Sequence, residues 1–345
     1  VTVALYYDPL FLGHDTLTHP ESPRRVETAM QLIESSGLIS KLERPDVRDA
    51  SIEELTRVHS IEHVERVKRF GLRGPVMVLA DTIANTGTFE AAMRAAGAVV
   101  GATEAVVGGD FDAAYCLVRP PGHHAVANSP MGFCFFNNVA IAARHATAAL
   151  GVERVAIVDI DIHHGNGTQD AFYEDPSVLY VSTHQYPYYP GTGRWREAGA
   201  GAGAGTTLNL SMPGGCGDDE YGRLLSEVIA PKLRQFRPGL ILVSAGYDAH
   251  HADPIDGAMM RLSCAGYAGL IARLCDVALE LCDGRIVVAL EGGYDLTALS
   301  WSVRNSIEAL LGGRLTPDPI GQAPEAEAPD IGELIANVRH LHGLD

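Results

Sequence analysis

The sequence is poor in positive charge. Against 43 acidic residues stand only 26 Lys and Arg, a formal net charge of −17 over 345 residues. That deficit argues against nucleic acid as a partner, because phosphate recognition needs a basic face. It suits cationic or neutral partners. Long hydrophobic runs are missing too. The longest apolar stretch, Ala95–Val107, is rich in Gly and Ala and contains Glu104, and it falls short of the ~20 residues of a membrane span. Val1–Tyr7 is a short β-like run without the basic, apolar and small-residue succession of a targeting peptide. The six cysteines, at 116, 134, 216, 264, 275 and 282, form no Cys-x-x-Cys motif and no framework spacing, so free thiols in a reducing cytoplasm are expected. What the chain does have is 46% hydrophobic residues, enough for a large core and too many for wholesale disorder. It also has 14 histidines, six of them in three adjacent pairs: His123-His124, His163-His164 and His250-His251.

Short apolar runs alternate with longer helical patterns. Strands are expected at Val3–Tyr7, Ala113–Val118, Val155–Val158, Val178–Ser182, Leu240–Ser244 and Ile286–Leu290. Helices are expected at Arg24–Ser36, Ile61–Phe70, Thr88–Val107, Asn137–Leu150, Asp219–Gln235, Ser263–Leu281 and Leu299–Leu311. Such alternation predicts an α/β fold, a mainly parallel sheet with helices on both faces. No repeat and no linker divides the chain, so one domain is expected over 1–313. A tail over 314–345, with a short helix near Ile331–His340, would pack on or near it. The run Gly199–Gly205 (GAGAGAG) lacks the strand before and helix after that a phosphate cradle requires, and reads as a flexible surface loop.

Polar clusters follow the carboxyl ends of the predicted strands, which is where open parallel sheets bind ligands. In Asp159-Ile-Asp-Ile-His163, alternation puts both carboxylates and the imidazole on one face. With Asp248, which follows another strand, Asp161 and His163 would form a three-ligand site for a borderline dication such as Zn²⁺, with open coordination for water and a carbonyl. Asp159 would then stand behind the ligands. The plainer alternative is an Asp–His pair that caps a strand end. Beside a metal site, His123 and His124 could serve as acid and base, oriented by Asp159 and Asn166; alone, they read as a hydrogen-bonded loop. Tyr294, in a Gly-Gly-Tyr turn, could donate to an oxyanion, or be an ordinary turn aromatic. Phe133 and the run Tyr186–Pro190 could wall a channel for an aliphatic stem; Phe135 and Phe136 read as core. His250-His251 lies past its strand end and reads as rim or surface.

The segments Arg119-Pro-Pro-Gly-His-His-Ala125, Asp159-Ile-Asp-Ile-His-His-Gly-Asn-Gly-Thr-Gln169, Ser244-Ala-Gly-Tyr-Asp-Ala249 and Glu291-Gly-Gly-Tyr294 resemble the signatures of the histone deacetylase/acetylpolyamine amidohydrolase family, in order and context. The likeness runs from about Tyr7 to about Leu311. Asn166 and the stretch His19-Pro20-Glu21-x-Pro23-x-Arg25 are similar to class II-type bacterial members. The resemblance implies an arginase/deacetylase-like single domain, with a mainly parallel sheet of about eight strands, and one catalytic Zn²⁺ on Asp161, His163 and Asp248. It makes His124 the general base, His123 its neighbour paired with Asp159, and Tyr294 the group that polarises the scissile carbonyl. Gly132, Phe133 and Tyr189 would line an acyl-lysine tunnel, and Asp81 would grip the substrate backbone at its rim. A structural K⁺ is implied near Asp159, Asp161, His163 and Ser182. Two positions depart from the pattern: Tyr189 stands where Phe is frequent, and Ile255 where polyamine-preferring relatives carry an acid, although Asp256 is next to it. The expected substrate is therefore an acyl-lysine peptide or protein or another N-acyl amine. The alternatives are an acetylpolyamine or small N-acetyl amide, a two-metal ureohydrolase, and a non-catalytic acyl-lysine-binding module. Oligomeric state is open, a homo-oligomer included.

Overall fold

Short β-branched apolar runs bounded by turn residues are expected to be strands covered on both faces, and the computed structural model bears this out. It describes residues 1–72, 74–79 and 81–344; Ala80 of the rim motif and the last tail residue, Asp345, lie outside the described residues, as does Arg73. The strands are β1 (Val3–Tyr6), β2 (Val76–Leu79), β3 (Thr82–Ala84), β4 (Ala113–Cys116), β5 (Val155–Asp159), β6 (Val178–Gln185), β7 (Thr207–Met212), β8 (Leu240–Ala245) and β9 (Ile286–Leu290). Seven of them form one sheet in the order β1-β4-β9-β8-β5-β6-β7, and every pairing in it is parallel. Every residue of β5, β6, β8 and β9 is buried. β2 and β3 form a separate antiparallel hairpin. Strand β7 is not among the expected strands, because Thr-Thr-Leu-Asn-Leu carries a weak apolar signal; pairing with β6 makes it one.

The helices are α1 (Arg24–Ser35), α2 (Ile52–Thr56), α3 (Ile61–Phe70), α4 (Thr88–Gly108), α5 (Asn138–Ala149), α6 (Asn166–Phe172), α7 (Asp218–Leu224), α8 (Ala230–Phe236), α9 (Cys264–Cys282), α10 (Leu296–Leu310) and α11 (Gly332–His342). Side chains cap several starts as the sequence dictates. Ser60 accepts from His63 N, Asn137 from Ala140 N, and Asp295 from Thr297 N and Ala298 N. The helix expected over Asp219–Gln235 is one run interrupted by a π turn at Leu225–Ile229. Its cause is Pro231, which has no N–H to give the carbonyl four residues back. That carbonyl, on Glu227, accepts instead from Arg339 Nη1 of α11 at 2.5 Å. The tail helix is thereby tied to the domain, and Gln235 Nε2 adds a bond to His342 O at 3.2 Å.

One expectation is refined here and one changes. Gly199–Gly205 stays at the surface, as expected, but does not hang free. It folds through a turn at Gly201–Gly203 and bonds back to the α6–β6 segment, Ala200 N to Tyr173 O at 2.8 Å. His250 is no rim residue: it is 2% exposed, its Nδ1 accepts from Ala252 N at 3.1 Å, and its Nε2 lies 3.5 Å from Cys264 Sγ. Its backbone forms a parallel bridge with Leu262, which pulls the pair inward. His251 reaches the tail at Gly321 O, 3.2 Å away. Among the described residues, no helix is long and apolar enough to cross a membrane.

Candidate metal centre and active site

The loops after β4, β5, β6, β8 and β9 meet around one cavity of about 430 Å³. Buried His123, His124, His163, Gly292 and Tyr294 form its floor; Gly132, Phe133, Tyr188, Tyr189 and Ile255 its walls; Asp81 and exposed Asp256 stand at its mouth. Asp161 and Asp248 lie just behind the floor. A Cβ on Gly292 would come within 2.2 Å of Asp248 Oδ2 and 2.6 Å of Asp161 Oδ2, so only glycine lets that loop pass the carboxylates. Gly132 has φ +51°, and a Cβ there would lie 2.3 Å from His124 Cδ2.

Asp161, His163 and Asp248 each place one donor atom within 4.8 Å of the others, all buried. Asp161 Oδ1 accepts from His163 N and lies 3.0 Å from His163 Nδ1. Asp248 Oδ1 accepts from Ile162 N at 2.9 Å. Asp248 Oδ2 lies 3.2 Å from His163 Nδ1 and meets no other donor among the described residues. A buried carboxylate oxygen left this way is costly unless a cation meets it. Two carboxylates and an imidazole suit a divalent ion of zinc type, so the residues fit the group that the signature implies. Burial alone would lower His163, but Asp161 and Asp248 raise it to about 9. The proton occupies the imidazole atom that a metal would claim, and binding would release it.

The two floor histidines differ in charge. His123 Nδ1 faces Asp159 Oδ2 at 3.0 Å, and Tyr180 donates to the same oxygen. Burial opposes the charged ring, yet Asp159 and Asp161 together lift His123 to about 10, so the shared proton rests on the imidazole. His124 is pushed well below the usual value by burial and by the charges of His123 and His163. Its Nδ1 bonds Asn166 Oδ1 at 2.8 Å, which leaves the Nε2 lone pair for a substrate or water. The ring centroids are 4.0 Å apart. The arrangement offers a neutral base beside an imidazolium. Burial and Asp248 keep the Tyr294 phenol protonated by raising its pKa. Phe133 meets its ring edge-on at 5.9 Å.

The structure thus gathers His123, His124, Asp159, Asp161, His163, Asn166, Asp248 and Tyr294 at one place, with Asp81, Gly132, Phe133, Tyr189 and Ile255 around the cavity. His164 points elsewhere, to Thr192 Oγ1 and Gln169 Oε1. Ser182 sits opposite Asp159 in the ladder, and its hydroxyl pairs with His184 Nδ1 at 2.8 Å. Tyr188, in the run expected to wall a channel, lines the cavity and stacks on His163 at 4.9 Å and 17°. Sequence reasoning gave no role to several other supporting groups. Glu291, raised to about 7 by burial, accepts from Gly122 N and His123 N and so shapes the histidine loop. Arg25 donates to Glu291 O and Gly293 O and lies 5.0 Å over the Tyr294 ring. Glu21 grips Arg119 through two bonds of 2.8 Å. The signal for Glu291 was available: an acid at a strand's carboxyl end, beside a Gly-Gly turn.

A second group of metal-ligand type, Glu54, Glu104 and His145, lies away from the cavity. Arg48 bonds both carboxylates, at 2.7 to 3.1 Å, and Arg57 Nη1 lies 2.6 Å from His145 Nδ1.

Comparison with known proteins shows the family. Residues 19–310 match the family described as the histone deacetylase domain. The chain is 42% identical over 361 residues to histone deacetylase 10, chloroplastic, of Oryza sativa subsp. japonica, covering 99% of this chain and 81% of that protein. It is 37% identical over 330 residues to a probable deacetylase of Archaeoglobus fulgidus, covering 94% and 91%. Among solved structures, that titled "Crystal Structure of HDA15 HD domain" matches with a TM-score of 0.89 at 34% identity, over 99% of this chain and 94% of that one. The chain belongs to the histone deacetylase family. These relatives come from a plant and an archaeon, so they carry the family and not the narrower expectation of a bacterial enzyme. Family and donor cluster together support a deacetylase-type hydrolase with a divalent metal site.

Proposed function

We propose that the chain is a zinc-dependent amidohydrolase that removes acetyl or a related acyl group from an amine, a lysine ε-amine first among them. One observation carries the reading: a buried anionic donor cluster shares its cavity floor with a neutral imidazole whose Nε2 is free. Asp161, His163 and Asp248 would hold one ion per chain. When bound there, Zn²⁺ supplies Lewis-acid polarisation of the carbonyl and brings a water's pKa toward ~7. His124 takes the water's proton on Nε2 while Asn166 holds its Nδ1–H. Tyr294 donates its hydroxyl to the developing oxyanion. Asp159 keeps His123 charged beside the reacting centre, and a protonated histidine of the pair returns a proton to the leaving amine. Gly132, Phe133 and Tyr189 line the path of an aliphatic stem, Ile255 keeps one wall apolar, and Asp81 receives the substrate backbone. A structural K⁺ near Asp159, Asp161, His163 and Ser182 belongs to the same reading. Six free thiols favour a reducing compartment such as the cytoplasm.

A second reading, a deacetylase of acetylpolyamines or small N-acetyl amides, is favoured by one feature, the exposed Asp256 beside Ile255 at the mouth. A kcat/KM panel of acetyl-lysine peptides, longer acyl-lysines, acetylpolyamines and N-acetyl metabolites separates the two. Hydrolysis that survives full chelation would sink both. In Tyr294→Phe, turnover should fall ~10²–10³-fold with metal retained; turnover near wild type would refute the role given to Tyr294.

A further inference from the structure

Tyr294 follows two glycines, so its loop has little intrinsic rigidity. Its backbone polar groups are instead taken from outside. Gly292 N donates to Asp161 Oδ2 at 2.9 Å, and Arg25 holds the carbonyls of Glu291 and Gly293 at 2.5 and 2.6 Å. The far half of the loop hangs on one side chain. Asp253 Oδ2 accepts from Tyr294 N at 2.6 Å and from Asp295 N at 3.1 Å. Its other oxygen, Oδ1, accepts from Ile255 N at 3.1 Å. One carboxylate therefore joins the amide of Tyr294, the N-cap residue of α10 and the Ile255 wall. Asp253 itself does not line the cavity.

We propose that Asp253 is a positioning residue for the reaction, fixing Tyr294 where its hydroxyl meets the oxyanion and tying that position to the Ile255 wall. The proposal rests on the reading of Tyr294 as oxyanion donor. Both carboxylate oxygens matter. In Asp253→Asn the amide keeps one acceptor and turns an NH₂ toward Ile255 N–H or toward the two amides of 294 and 295, donor against donor. Because the carboxylate touches no reacting atom, its loss should act on turnover through Tyr294 and leave substrate affinity nearly unchanged.

The test uses the full metal-loaded chain and an acetyl-lysine peptide. Asp253→Ala, Asp253→Asn, Tyr294→Phe and the double variant Asp253→Ala/Tyr294→Phe are compared in steady-state kinetics, with metal content by elemental analysis. Misplacement by about 1 Å can cost ~10²-fold, so Asp253→Ala and Asp253→Asn should lose ~10–100-fold in kcat, with KM within ~3-fold and one ion per chain. On the Tyr294→Phe background, removing Asp253 should cost less than ~2-fold more, because the group it positions is already gone. A full additional loss in the double variant, or wild-type kcat in both single Asp253 variants, overturns the proposal. Should Asp253→Ala not fold, Asp253→Asn, nearly isosteric, carries both arms. Wild-type turnover in Tyr294→Phe would instead overturn the Tyr294 reading, and this one with it; additivity beside a crippled Tyr294→Phe overturns only the role of Asp253.

Discussion

Asp161, His163 and Asp248 on one side, and Glu54, Glu104 and His145 on the other, are alike in residue type. In each group one donor atom per residue lies within 4.8 Å of the others. Their surroundings differ. At Glu54 the charge is already answered: Arg48 forks onto the carboxylate and reaches Glu104 as well. Burial works against ionisation there, but Arg48 and the Ser51 amide hold Glu54 down at about 2. Around Asp161 and Asp248 no Arg or Lys approaches among the described residues. The nearest positive charges are two imidazoles, and Asp248 Oδ2 meets no donor among the described residues besides His163 Nδ1, 3.2 Å away. Ligand-type residues within reach of one another do not suffice for a metal centre. What distinguishes the first cluster is buried negative charge met by no guanidinium or ammonium, only by imidazoles that can release their protons.

The largest effect should come from breaking that imbalance. Asp248→Ala is expected to lose the metal and, with it, at least ~10³-fold in turnover. Elemental analysis beside kinetics checks this; full metal content in the variant would mean that Asp248 is no ligand. Metal titration of the chelated protein sharpens the comparison next. One ion per chain is expected, with unfolding free energy rising by ~4 kcal/mol at a thousandfold excess over Kd. Two tight ions would enlist Glu54, Glu104 and His145 as well and end the distinction. Glu54→Gln should leave metal content and kcat at wild-type values. It should lower unfolding free energy by ~1–3 kcal/mol in urea melts, because Arg48 and the Ser51 amide lose an ionised acceptor. The smallest effect is in pH. Glu54 is depressed in the folded state, so its stabilisation is present above the ordinary carboxylate value of 4.5 and is lost as pH falls through about 2. The deficit of Glu54→Gln should therefore shrink on acidification. A deficit unchanged between pH 7 and pH 2 would show that the variant acts through packing.

Some of this was legible before any coordinates. Period-two alternation put Asp159, Asp161 and His163 on one face, and the apolar runs before each polar cluster announced parallel strands with the chemistry at their carboxyl ends. Other parts were not. His250 and His163 both sit in His-His pairs after strands; only the bridge to Leu262 decides that one is packed against Cys264 and the other opens on the cavity. β7 is a strand because β6 offers it a ladder. Asp253 lies 41 residues before Tyr294, and no local pattern relates them.

The sequence by itself determined six of the seven strands of the main sheet, the longer helices and the short motifs, because side-chain period and turn chemistry act over a few residues. Only the tertiary structure decided which carboxylates meet an Arg and which meet none. Charge balance inside a protein is set by what packs against a group from distant parts of the chain, and that is what separates the site at Asp161 from the ion-pair network at Glu54.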